Sequence, residues 1–133
     1  MANENKIFDI VLYGDGLTAK SAVLSLSKLG FYPIWISNDI MGYYKDERTT
    51  MLSPKSLVFY QEHNLHEVTN TAFPSNKIHI KSKYQKEFTV FEDGTHNNPL
   101  CYLIENNILH KELNTLISKE IKEKKNKSNY RRY

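Results

Sequence analysis

Gly14, Gly16 and Ala19 directly follow the apolar run "IFDIVLY" (residues 7–13) and open the stretch "GDGLTAKSAVLSLSKLG". A glycine, a second glycine two residues on and a small residue three further on is the spacing of a turn that cradles a pyrophosphate. The first glycine permits a tight turn. The second leaves room for phosphates to approach the backbone. The third position need only be small so that helix and strand pack closely, and alanine serves there. The amides at the start of the following helix, with its dipole, would hold the anion. Asp15 stands between the glycines, where its charge is unfavourable beside a pyrophosphate unless its side chain points away. The simpler alternative is an ordinary strand–helix turn with no ligand.

Such a turn needs a strand before it, a helix after it and a second strand alongside. Residues 7–13 have the length and branched apolar content of a buried parallel strand. Leu17, Ala22, Val23, Leu26 and Leu29 recur at helical spacing over residues 17–29, and Gly30 is placed to end that helix. "YPIWIS" (residues 32–37) reads as the second strand, which completes a βαβ unit whose two strands should be parallel neighbours. An acid ending that second strand would bond a ribose hydroxyl. The strand ends instead at Ile36-Ser37; Ser37 could supply one weaker hydrogen bond, and Asp39 could reach only if the loop curls back.

Downstream, residues 38–53 read as irregular, with Asn38, Asp39, Gly42 and Asp46 as turn formers. Ser53-Pro54 caps a short helix within "SPKSLVFYQEHNL". "KIHIKSK" (77–83) and "EFTVFED" (87–93) alternate apolar and polar residues and predict an antiparallel hairpin, with a loop at "DGTHNNPL" and a short strand at "LCYLIE" (100–105). From Asn106 onward, Ile108, Leu109, Leu113, Leu116, Ile117 and Ile121 mark one stripe of a long helix.

Three ordered blocks of the chain resemble FAD-dependent aromatic hydroxylases, specifically the ubiquinone-biosynthesis hydroxylase branch. The first is the turn at Gly14, Gly16 and Ala19. The second is "DERTTMLSPKSLVFYQEHNLHEV" (46–68), similar to that family's Asp-x-Arg, then Leu-Ser-x-x-Ser, then a helix ending near Gly-Leu-Trp. Here Asp46-Glu47-Arg48, Leu52 to Ser56 and Asn64-Leu65-His66 take those places. The third is "PLCYLIENNILHKEL" (99–113), where Tyr102, Glu105, Asn106, Leu109 and Leu113 match and Cys101 replaces a glycine. The resemblance implies that Gly14, Gly16 and Ala19 form the pyrophosphate turn, with Ser37 at the ribose position. It implies that Arg48 reaches the ribose and phosphate region of FAD, where a guanidinium is well suited. Asn106 would make a polar flavin-side contact, and the hairpin at 77–93 would belong to a substrate-binding sheet. Taken without the resemblance, Arg48 is a surface ion pair with Asp46 or Glu47, and Asn106 is a helix N-cap.

The family continues with an Asp-Gly segment and a later Gly-Asp-Ala-x-His segment, and neither follows Lys119. The resemblance therefore implies a truncated or split monooxygenase. It would supply the ADP and pyrophosphate end of the FAD site, with NAD(P)H as reductant and a small aromatic substrate in a complete enzyme, and would be inactive without a complementing C-terminal half or a second copy. The competing reading is a non-catalytic interaction module on a degenerate Rossmann-like unit; a third is NAD binding by a minimal Rossmann unit.

Composition fits these readings. The chain has 133 residues, 40% hydrophobic and 25% charged, which suits one small domain. The expected fold is α/β, a partial Rossmann-like FAD/NAD(P)-binding domain over residues 1–118, followed by a basic helix end and tail at 119–133. That tail holds seven of the 18 Lys and Arg residues against two Glu. It could attract nucleic acid or an anionic membrane surface, but a solvated helix end is the favoured reading, and no nucleic-acid partner is expected. No apolar run is long enough to span a membrane, no secretory signal is apparent, and the single Cys101 suits a reducing cytoplasm. His63, His66, His79, His96 and His110 lack metal-ligand spacing and read as surface or helix-end residues.

Overall fold

A computed structural model describes residues 8, 10–37, 47–84, 88–92 and 98–127. Asp39, Asp46 and His96 lie outside them. The chain is mixed α/β, in the order β1 (Ile10–Tyr13), α1 (Leu17–Lys28), β2 (Pro33–Ile36), β3 (Thr49–Leu52), α2 (Pro54–Glu62), α3 (His66–Thr71), β4 (Phe73–Ser75), β5 (Lys77–Lys81), β6 (Phe88–Glu92), β7 (Cys101–Glu105) and α4 (Asn106–Lys127). It divides into two compact units, residues 1–44 with 110–133 and residues 45–109.

The first unit contains the βαβ element. β1 and β2 pair in parallel, with Ile10 opposite Pro33 and Tyr13 opposite Ile36. α1 ends where Gly30 takes a φ of 90°, and two bonds close the cap, Gly30 N–H to Ser27 O and Phe31 N–H to Leu26 O. The buried face of α1 is Lys20, Val23 and Leu24. Leu29, expected in the apolar stripe, is exposed because it is the C-cap residue, beyond the last helical turn. Leu24 lies one turn beyond Lys20, so the buried row contains a lysine and escapes an apolar pattern search.

In the second unit β7 is the central strand, antiparallel to β3 on one side and β4 on the other. Residues 49–52, expected to be irregular, form β3 instead. Thr49 to Leu52 pair with Glu105 to Tyr102, and only Leu52 is buried, so the strand has little apolar alternation to announce it. β4 is three residues long with Pro74 in it, which an edge strand tolerates. Ser53 caps α2 by accepting the Ser56 N–H at 3.1 Å. The turn into α3 places Asn64 at φ 61°, and Leu65 N–H to Tyr60 O with Asn64 N–H to Gln61 O complete the cap. Leu52, Leu57, Leu65, Val68, Cys101, Ile104 and Leu109 form the core of this unit. β5 and β6 form the expected hairpin, with Lys77 and Glu92 paired at 3.1 Å.

α4 begins in the second unit and continues through the first. Its buried row is Asn106, Leu109, His110, Leu113 and Ile117. No helix among the described residues is long and apolar enough to cross a membrane.

Candidate functional site

The glycine turn joins β1 to α1 and is tied to β2 by its backbone. The Gly14 N–H donates to Ile36 O at 3.0 Å, and the Trp35 indole N–H donates to Gly14 O at 2.8 Å. Gly14 has a φ of +129°, a conformation that side chains other than glycine's disfavour, so the turn itself requires this residue. A Cβ at Gly14 would lie 3.8 Å from the Ala19 Cβ, an ordinary contact. A larger side chain at 19 would crowd that approach.

Gly16 differs in kind. Its φ of −72° and ψ of 168° suit any residue, and a Cβ built there meets nothing within 4 Å. It is the N-cap of α1 but makes no side-chain cap bond; Ser or Asp would cap at least as well. The space beside Gly16 is therefore not needed by this chain's own packing. The first intrahelical bond runs from Lys20 N–H to Gly16 O, so the amides of residues 17–19 precede the hydrogen-bonded ladder. No acidic residue lies in the first turn of α1. An open approach, early helix amides and the positive end of the dipole are a set that suits a phosphate oxygen.

Ser37 follows β2 directly, and its hydroxyl donates to Asp15 Oδ1. The Asp15 carboxylate thus reaches to the end of β2.

Arg48 and Asn106 come together in the second unit, where the Asn106 N–H donates to Arg48 O at 3.0 Å. This bond ties the residue before β3 to the first residue of α4. Arg48 is exposed, whereas Asn106 is only 7% exposed. Asn106 Oδ1 accepts the Thr50 hydroxyl at 2.5 Å. Asn106 is therefore inside α4, not its N-cap, and its side chain is committed to β3.

A buried polar pair escaped sequence reasoning. Lys20 Nζ lies 3.0 Å from His110 Nδ1, with Lys20 2% and His110 7% exposed. His110 is thus a core residue, contrary to the expectation of a surface histidine. The signal was available: His110 falls on the Asn106–Leu109–Leu113–Ile117 row of α4. Among the described residues, no group of three or more His, Cys, Asp or Glu could hold a metal ion.

Scanned against known protein families, the chain matches none, and no curated protein matches it. Solved structures do. One is a flavin-dependent monooxygenase, PieE, determined in complex with FAD and substrate. The TM-score is 0.62 at 14% identity over 87% of this chain and 23% of PieE. Another is a geranylgeranyl bacteriochlorophyll reductase-like protein from Thermoplasma acidophilum, with a TM-score of 0.56 at 16% identity over 85% of this chain and 28% of that one. The chain spans about a quarter of the length of each of these structures. At such identities the likeness is one of fold: the chain has the mixed α/β fold of part of these two proteins.

Proposed function

We propose that this chain binds the ADP and pyrophosphate portion of FAD, as part of a flavin-dependent monooxygenase that hydroxylates an aromatic ring, of the ubiquinone-biosynthesis type. The observation that carries the reading is Gly16, a glycine with ordinary dihedrals and empty space beside it, at the start of a helix without a side-chain cap. Gly14 and Ala19 make the turn and its close packing. The likeness in fold to a monooxygenase solved with FAD and substrate supports the same assignment.

Within this reading the turn holds the pyrophosphate through backbone amides. The family resemblance assigns the exposed Arg48, the residue before β3, as a further FAD contact through its guanidinium. Asn106 acts by position: its N–H holds the Arg48 carbonyl and its side chain holds Thr50. Bound FAD, reduced by NAD(P)H, supplies the redox chemistry of ring hydroxylation. The chain's own contribution is to fix the adenine end of the cofactor.

The test is FAD binding by the isolated chain, followed by flavin fluorescence quenching and by thermal shift. Saturable binding that disappears in Gly16→Asp and weakens in Arg48→Ala is the expected result. A thermal shift with NAD but not FAD would redirect the assignment to a minimal Rossmann unit.

One observation favours a second reading, an interaction module. β1 and β2 form a two-stranded parallel sheet on which Val11, Tyr13 and Ile36 are exposed, Tyr13 by 76%. Parallel sheets are ordinarily covered on both faces. No response to FAD or NAD at millimolar concentration, together with self-association in sedimentation, would select this reading.

A further inference from the structure

The end of β2 offers Ser37 where a ribose-binding acid is expected, yet a carboxylate is present there. It comes from the glycine turn: Asp15 Oδ1 accepts the Ser37 hydroxyl across 22 residues of sequence. Two more bonds join the same turn to the same end of β2, Gly14 N–H to Ile36 O and the Trp35 indole N–H to Gly14 O. Three successive residues, Trp35, Ile36 and Ser37, thus hold two successive turn residues, Gly14 and Asp15. Asp15 is half-buried, and its bond to Ser37 fixes where its carboxylate sits.

We propose, on the reading that this turn holds an adenine nucleotide, that Asp15 is the acid that accepts the ribose hydroxyls, oriented by Ser37. The usual arrangement takes that acid from the second strand. Here the acid and the hydroxyl have exchanged elements, and the pair occupies the same strand end. A carboxylate has lone pairs for about four hydrogen bonds, so accepting from Ser37 does not by itself exhaust it as a sugar-hydroxyl acceptor. The bond to Ser37 also draws the charge toward β2, which lessens its repulsion of a pyrophosphate. The chemistry makes the site selective: it favours an adenine nucleotide with free ribose hydroxyls and rejects one carrying a 2′-phosphate, whose charge would face Asp15.

The experiment titrates the 133-residue chain with ADP, 2′-deoxy-ADP and ADP bearing a 2′-phosphate, reading the emission of Trp35, the sole tryptophan, whose indole is bonded to the turn. The two altered nucleotides should bind roughly tenfold or more weakly than ADP, the scale of one charge-assisted hydrogen bond. Asp15→Ala should erase that discrimination, and Ser37→Ala should reduce it, with unchanged circular dichroism in both. If Asp15→Ala fails to fold, Ser37→Ala alone decides. Discrimination retained in the folded variants would overturn the role of Asp15 and leave the nucleotide reading standing. Tighter binding of every nucleotide by Asp15→Ala would likewise overturn it, and would make Asp15 an obstruction. If neither protein binds ADP or FAD, the nucleotide reading falls and the role of Asp15 falls with it.

Discussion

Lys20 Nζ and His110 Nδ1 meet 3.0 Å apart although 90 residues separate them, in a position where both side chains are nearly inaccessible. The pair ties the end of the first turn of α1 to α4 within one unit. A protonated lysine here needs an acceptor, which requires the imidazole to be neutral with its proton on Nε2. Truncating one partner leaves the other to bear its desolvation, whereas replacing both with apolar groups of similar size is close to neutral. His110→Leu should therefore destabilise by about 2–3 kcal/mol in urea denaturation. Lys20→Met combined with His110→Leu should recover most of that loss. A double variant as unstable as the sum of its singles would show that the pair is not coupled.

The two turn glycines should separate in a stability measurement. Gly14 at φ +129° needs glycine, and Gly14→Ala should cost about 1–3 kcal/mol. Gly16 has dihedrals open to any residue, an unobstructed Cβ direction and the N-cap position, so Gly16→Ser, which keeps a good cap, should be neutral or stabilising, with a loss of less than about 0.5 kcal/mol. Equal losses at the two positions would mean that Gly16 serves the fold, which would remove the observation that carries the proposed nucleotide site.

The βαβ unit was legible because apolar periodicity, glycines and a helix stop all agree locally. Gly30 ends α1 and Ser53 caps α2 as their residue types predict. β3 and β4 were not legible. Both are short and largely exposed, and what makes them strands is pairing with β7, a contact about 30 to 55 residues distant that no local window contains. The site was readable only in part for the same reason. Sequence spacing singles out Gly14, Gly16 and Ala19 as a turn between strand and helix, but it cannot show that Asp15 reaches Ser37 or that Asn106 bonds to β3. The burial of Lys20 is a tertiary choice as well: a lysine carries no apolar signal, and its contact with His110, which does lie on the apolar row of α4, is 90 residues away.

Asn106 should matter for stability whether or not a ligand binds nearby. Its buried carbonyl oxygen accepts from Thr50, and its N–H holds Arg48 O. Asn106→Ala should cost about 1–3 kcal/mol, because it leaves the Thr50 hydroxyl to find another acceptor and opens a small void. Thr50→Val, which keeps the shape and removes the hydroxyl, should cost about 1 kcal/mol. In a double-variant cycle the two losses should be less than additive. Strict additivity would break the claimed coupling between β3 and the start of α4.

Asn64 gives a prediction of opposite sign. It is the non-glycine residue at positive φ among the described residues, at 61°, and its position after α2 is one that glycine ordinarily fills. Asparagine tolerates this conformation better than other side-chain-bearing residues, which is why the turn to Leu65 survives without a glycine. A β-branched residue there must pay the full steric cost, so Asn64→Val should destabilise by about 1–2 kcal/mol. Asn64→Gly removes the remaining strain at some cost in unfolded-chain entropy and should be neutral or stabilising by up to about 1 kcal/mol. Thermal melts followed at 222 nm would order the three proteins as glycine, then asparagine, then valine. Valine melting with or above asparagine would mean that the cap between α2 and α3, with Leu65 N–H on Tyr60 O, does not depend on this left-handed residue.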